Sequence, residues 1–128
     1  MTAGALVLAV EDEPRNTALL EAILQPAGYV LLTAGTLEVA REWLADNRPD
    51  IVLLDRHLPD GDGLDLAREV RAEPRLHDVP ILLVSASVLP DDQAAAEAAG
   101  CDGFHSKPIR IPALLAEVER LIEDGSGG

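Results

Sequence analysis

The chain alternates between continuous apolar runs and stretches with helical spacing. Leu6–Val10, Ile51–Leu54 and Ile81–Val84 carry no polar interruption. Such runs are too short for helices and describe strands buried on both faces. Each ends on chosen polar residues: Glu11-Asp12 after the first, Asp55 after the second, Ser85 after the third. A further strand-like segment closes on Lys107. With a weaker segment after Gly28, strands are predicted to start near residues 5, 29, 51, 81 and 103.

Helical periodicity fills the intervals. The first helix is predicted from about Pro14 to Ala27, with Leu19, Leu20, Ile23 and Leu24 on one face and Gly28 as its cap. The second runs to Asp46 from Thr36 as N-cap, and the third starts near Gly63 and stops before Pro74. The fourth covers about Asp91–Ala99, capped by Gly100. The fifth covers Pro112–Glu123, with Leu114, Leu115, Val118, Leu121 and Ile122 at core spacing. Strict βα alternation predicts an α/β fold, a parallel sheet with right-handed crossovers and helices on both faces. Five units fit the flavodoxin-like (βα)5 sandwich with strand order 2-1-3-4-5. That order sets strands 1 and 3 side by side at the topological switch point, so Glu11, Asp12 and Asp55 are expected to converge. Residues 1–123 read as one domain, and residues 124–128 as a flexible tail or linker stub.

Length and composition narrow the function. The 128 residues suffice for one domain, and 48% hydrophobic content supports a packed core. A formal charge of −13 argues against nucleic acid and against an anionic membrane surface. A single cysteine, Cys101, allows no internal disulfide, so the cytoplasm is the expected compartment. No segment has the length of a membrane span or the pattern of a signal peptide.

The polar strand ends carry the candidate chemistry. Carboxylates about 5 Å apart repel by roughly 3 kcal/mol per pair at an effective dielectric of about 20. Gathering three therefore calls for a cation or for raised pKa values, and hard oxygen ligands favour Mg²⁺. Glu11 and Asp12 could equally serve the N-terminus of the first helix, where the dipole favours negative charge. Lys107 is the only lysine among ten cationic residues, which points to a need for a compact ammonium. It precedes Pro108, a position where a cis bond acts as a positioning device. Ser85 lies in no nucleophile-elbow pattern and reads as a hydrogen-bond donor. Asp60-Gly61-Asp62-Gly63 fails as a calcium loop, since Arg71 stands where the terminal Glu belongs. Trp43 and Tyr29 read as packing residues, and His77 and His105 as surface or turn residues.

Taken together, these residues resemble the receiver domain of two-component response regulators, from Leu6 to about Ile122. The matching pieces are Val10-Glu11-Asp12-Glu13, Asp55 followed by Leu58-Pro59 and Asp62-Gly63-Leu64, Ser85-Ala86, and Ser106-Lys107-Pro108-Ile109. Glu13, Asn16 and Gly28-Tyr29 are similar to the subgroup of single-domain regulators and hybrid-kinase receivers. The resemblance implies that Asp55 is the phosphoacceptor. It implies that Glu11, Asp12, Asp55 and the backbone carbonyl of His57 hold Mg²⁺, that Lys107 pairs with phosphoryl oxygens, and that Ser85 and Phe104 form the switch. His57 and Ser87 take the positions that tune the lifetime of the phosphorylated form. Phe104 replaces the commoner tyrosine and lacks its hydroxyl.

The expected function is thus a phosphoacceptor signalling switch with slow self-dephosphorylation and no separate turnover substrate. Its expected partners are a histidine kinase or histidine phosphotransfer protein and a downstream protein target. By resemblance, the first helix and the loop after the fifth strand face the kinase. The fourth helix, fifth strand and fifth helix face the target. Two other readings stay open. An Mg²⁺-dependent aspartate-nucleophile phosphohydrolase wants a second Asp two residues after the first, where His57 stands. A receiver-like module could also bind partners without phosphorylation.

Overall fold

The computed structural model describes residues 4–86 and 89–126. Ser87, one of the two lifetime positions, lies outside the described residues. The elements in chain order are β1 (Leu6–Val10), α1 (Pro14–Leu24), β2 (Val30–Ala34), α2 (Leu37–Asp46), β3 (Ile51–Leu54), β4 (His57–Leu58), β5 (Gly61–Asp62), α3 (Gly63–Ala72), β6 (Ile81–Ser85), α4 (Pro90–Ala98), β7 (Gly103–Ser106) and α5 (Ile111–Ser126). Five strands form a parallel sheet in the order β2-β1-β3-β6-β7. Counted within that sheet alone, this is the predicted 2-1-3-4-5.

The continuous apolar runs are explained by a core on each side of the sheet. Because strand side chains alternate, Val7, Ala9, Ile51, Leu53, Leu82 and Val84 meet α1 and α5. There they pack on Leu20, Leu24, Leu114 and Val118. Leu8, Val10, Val52, Leu54, Ile81 and Leu83 meet the other face, against Leu37, Leu44, Leu64, Val70 and Ala96. Every residue of Ile51–Leu54 is buried. At about 1.5–3 kcal/mol for each fully buried large aliphatic side chain, the central strands anchor the fold.

The helix ends follow local chemistry. Glu13 caps α1 through Arg15 N, and Pro14 starts it without needing a donor. α1 ends at Leu24, three residues before the predicted Ala27, because Pro26 has no amide to continue the ladder. Gly28 then turns the chain at φ 96°, letting Tyr29 N donate to Leu24 O at 3.2 Å. Thr36 caps α2 by accepting from Val39 N at 3.1 Å, as expected. α5 extends past the predicted Glu123 to Ser126, and Arg120 meets Asp124 at i,i+4 spacing, 3.7 Å apart.

One element escaped the sequence reading. β4 and β5 form a two-stranded antiparallel hairpin directly after Asp55. At its turn Asp60 accepts from Leu37 N at 2.9 Å and Glu38 N at 3.0 Å, adding a cap on α2 from a distant loop.

The hairpin returns the chain tightly to its start. Gly63 N donates to Arg56 O at 2.7 Å. A Cβ at Gly63 would lie 2.0 Å from the carbonyl oxygen of Asp55. The neighbouring atoms are backbone, so no side-chain rotation relieves the clash. Gly63→Ala is therefore expected to destabilise the domain by roughly 3 kcal/mol, the upper end for overpacking, read as a lower urea midpoint at unchanged m-value.

Candidate functional site

The site lies at the carboxyl edge of the sheet, where β1 and β3 run side by side. Val10 pairs with Leu54, so the residues that follow each strand leave at the same level. Asp55 N donates to Val10 O at 3.0 Å, and Glu11 N donates to Ala34 O at 2.9 Å. Backbone ladders therefore fix both acids before any side chain is considered. Carboxylate oxygens of Glu11, Asp12 and Asp55 lie within 4.8 Å of one another. Asp12 is exposed, whereas Glu11 and Asp55 are only 5% and 7% exposed. Glu11 Oε2 also accepts from Glu13 N at 3.0 Å, which fixes its carboxylate.

Lys107 faces this cluster from the loop after β7. Its Nζ donates to Glu11 Oε1 at 2.7 Å and to Asp55 Oδ2 at 3.2 Å. Its amide donates to Ser85 O at 2.9 Å, tying the loop to the end of β6. The Lys107–Pro108 peptide is cis. Ser85 is fully buried at the end of β6, in register with Ser106. Phe104 is half-buried and packs on the core shared by α2, α3 and α4. It lines a small cavity of about 80 Å³ with Gln93, Ala96 and Cys101. His57 N approaches Asp55 Oδ1 at 3.4 Å.

The electrostatics follow from this crowding. Burial raises the Asp55 carboxyl pKa above its ordinary value, and the charge on Glu11 raises it further, against the opposing pull of Lys107. Burial would lower the Lys107 ammonium, but hydrogen bonds and charge from Glu11 and Asp55 outweigh it and hold that pKa above its usual value. Lys107 alone leaves two negative charges in excess at this edge. The donors are hard oxygens, one of them exposed, so the set suits a hydrated divalent cation. Cys101 lies away from this edge, and burial pushes its thiol up to about 11, which makes it inert as a nucleophile.

Two polar residues near the site were not anticipated. Arg56 follows Asp55 but turns from the carboxylates, bridging the α3 cap Asp62 (3.3 Å) and Asp92 in the first turn of α4 (3.1 Å). His105, expected at the surface or in a turn, is 1% exposed and bonded through both ring nitrogens. Strand alternation opposite the half-buried Phe104 was the available signal, since it sends the next residue to the other covered face. His77 is exposed, as expected, and its Nδ1 lies 2.9 Å from Pro74 O.

Comparison with known proteins agrees with this geometry. The family model of the response regulator receiver domain matches residues 7–119. A polar-differentiation response regulator, DivK, from Brucella anthropi is 29% identical over 92% of the chain and 96% of its own length. The receiver domain of a sensor histidine kinase from Pseudomonas aeruginosa, solved with magnesium in its active-site cleft, is 32% identical, with a TM-score of 0.87, covering 94% of this chain and 99% of that one. A receiver domain of a histidine kinase from Syntrophus aciditrophicus is 30% identical, with a TM-score of 0.87 over 94% and 92% of the two chains.

The raised Asp55 pKa has a sign that can be measured. A carboxyl raised in the folded state holds its proton longer there than in the unfolded chain. Stability is therefore lost as pH rises through that window, and the penalty is complete above the raised folded-state value. Asp55→Asn keeps the shape and removes the charge. In metal-free buffer it is expected to raise the thermal midpoint by a few degrees at neutral pH. The gain shrinks on acidification and disappears below the ordinary carboxylate range.

Proposed function

The chain belongs to the response regulator receiver family, and on that premise we propose that Asp55 is the residue that takes the phosphoryl group. Receivers are the phosphoacceptor switches of two-component signalling, not conventional turnover enzymes. The observation that carries the assignment is the placement of Asp55: a buried carboxylate at the switch point, paired with Lys107 and crowded by Glu11.

In the proposed reaction, one Asp55 carboxylate oxygen attacks the phosphorus of a phosphohistidine. An O–P bond forms while the P–N bond breaks, and the departing imidazole nitrogen keeps the electron pair and takes up a proton. Such transfers need positioning and charge neutralisation more than covalent machinery. Lys107 supplies an ammonium at hydrogen-bond distance from the acceptor carboxylate. Glu11, Asp12, Asp55 and the His57 carbonyl would hold a Mg²⁺ ion, which would supply the remaining neutralisation of phosphoryl oxygens. The cluster of Glu11, Asp12 and Asp55 supports the acidic ligands, and the relative solved with magnesium in its cleft supports the choice of ion.

The output follows from charge. Phosphorylation adds roughly 1.5 to 2 negative charges and new acceptor oxygens. Ser85, at the end of the adjacent strand, is the proposed donor that turns toward them, and Phe104 is the proposed ring that responds. The small cavity beside Phe104 is bounded by Gln93 and Ala96 of α4, so the ring and that helix share one loosely filled contact. Shifting a two-state equilibrium from about 1:99 to 99:1 takes about 5.5 kcal/mol of differential stabilisation. Several charge-assisted hydrogen bonds reach that scale.

Receivers exchange phosphoryl groups with histidine kinases or phosphotransfer proteins and act on downstream proteins. We place α1 with the loop after β7 toward the donor, and α4, β7 and α5 toward the target. Among the described residues no helix is long and apolar enough to cross a membrane. The cytoplasm is the proposed site of action.

Intact mass after incubation with acetyl phosphate tests the assignment. One phosphoryl adduct is expected, dependent on Mg²⁺ and absent from Asp55→Asn. An adduct that survives Asp55→Asn would place the acceptor elsewhere. Release of phosphate from small phosphoesters over many turnovers would favour the phosphohydrolase reading.

A further inference from the structure

His105 is a buried polar residue that the reaction at Asp55 leaves without a role. Its side chain is 0% exposed on the edge strand β7, next to the half-buried Phe104. A buried imidazole is tolerated when its nitrogens find partners, and both do. Nδ1 lies 2.6 Å from Glu117 Oε1 on α5. Nε2 lies 3.2 Å from the backbone N of Arg110. A carboxylate beside one nitrogen and an N–H aimed at the other assign the neutral tautomer protonated on Nδ1. Nε2 then accepts from Arg110.

The place of these bonds in the chain gives them a function. Arg110 O accepts from Leu114 N at 2.9 Å, so Arg110 is the residue from which α5 starts. The imidazole thus ties the two ends of the loop 105–110 together and fastens both to α5. Lys107 sits inside that loop, and its amide is held at Ser85 O. Its ammonium must meet two carboxylates at once.

We propose that His105 is a positioning residue for phosphoryl transfer: it fixes the loop from which Lys107 reaches the acceptor carboxylate. The proposal rests on the reading of Asp55 as phosphoacceptor. His105 touches neither donor nor acceptor and acts through Lys107. It also makes α5 part of the support of the reacting site, because Glu117 is the outer anchor of the ring.

The test separates the two arms of the clip. Gln at position 105 can place an acceptor where Nε2 stands and so keep the bond to Arg110. Asn can place a donor where Nδ1 stands and keep only the bond to Glu117. The rate of adduct formation from acetyl phosphate at saturating Mg²⁺ is followed by intact mass, with folding checked by circular dichroism. His105→Asn is expected to label roughly 10-fold more slowly, the scale of a modest misplacement of a catalytic group, while His105→Gln stays within about 2-fold of the native chain. In a Lys107→Ala background His105→Asn is expected to have no further effect, the signature of a residue acting through that lysine. Glu117→Ala, at a half-buried helix position, leaves the strand untouched, removes the same arm as His105→Gln, and is expected to slow labelling by a similar small factor of about 2.

Native-rate labelling of His105→Asn would overturn the proposal. So would equal losses in Gln and Asn, or a loss that persists without Lys107. If the native chain accepts no phosphoryl group from acetyl phosphate or from a panel of histidine kinases, the assignment of Asp55 falls and this inference falls with it. Labelling of the native chain with unaffected variants removes the inference alone.

Discussion

Mutual repulsion of carboxylates is the constraint on which the rest of this structure depends. Glu11 and Asp55 are held close by backbone ladders between adjacent strands, not by attraction between their side chains. The folding of two apolar strands therefore does electrostatic work. It carries like charges into a partly dry edge, and the burial of Leu8, Val10, Val52 and Leu54 supplies the driving force. Burial is the first cause that holds the Asp55 pKa above its ordinary value, and the charge on Glu11 adds to it. This crowding leaves the site poised to gain from any added positive charge.

Sheet order also explains why a lysine answers those acids. β7 stands two strands away from β3, with β6 between them. At about 4.8 Å per strand spacing, the gap approaches 10 Å. A short side chain on the β7 side cannot cross it. Lys107 does so with a flexible four-carbon stem, and its loop bends inward along Ser85. A planar guanidinium would meet the two carboxylates with a different, forked geometry.

Most of this was legible in the chain because the main strands are buried on both sides. Their runs Leu6–Val10, Ile51–Leu54 and Ile81–Val84 stand out from helical spacing, and each marks the level at which a polar residue leaves the sheet. Adjacency of Glu11, Asp12 and Asp55 followed from the winding rules of parallel sheets, and the place of Lys107 beside them was implied by the family resemblance. What stayed hidden depends on partners distant in sequence. Asp60 looks like any turn acid until α2 arrives beside it. Arg71 looks like a surface cation, yet it bonds the carbonyls of His77, Val79 and Gly100 and the carboxylate of Asp102, stapling α3 to the loops around β6 and β7. His105 was misjudged although strand alternation offered a signal, because the partner that satisfies its ring, Glu117, lies on α5, twelve residues on in the chain.

The position of β7 at the rim of the sheet bears on how the molecule deforms. β1, β3 and β6 are each clamped by neighbours on both flanks, whereas among the described residues β7 is laddered only to β6. A strand held along one side is a cantilever: bending it strains one row of hydrogen bonds and leaves the centre of the sheet untouched. The stiff interior carries the acids, which must hold still against their own repulsion. The rim carries Phe104, and the loop that continues to Lys107 is tied back to β6 and α5. Rigidity and responsiveness are thus divided between the middle and the margin of one continuous sheet.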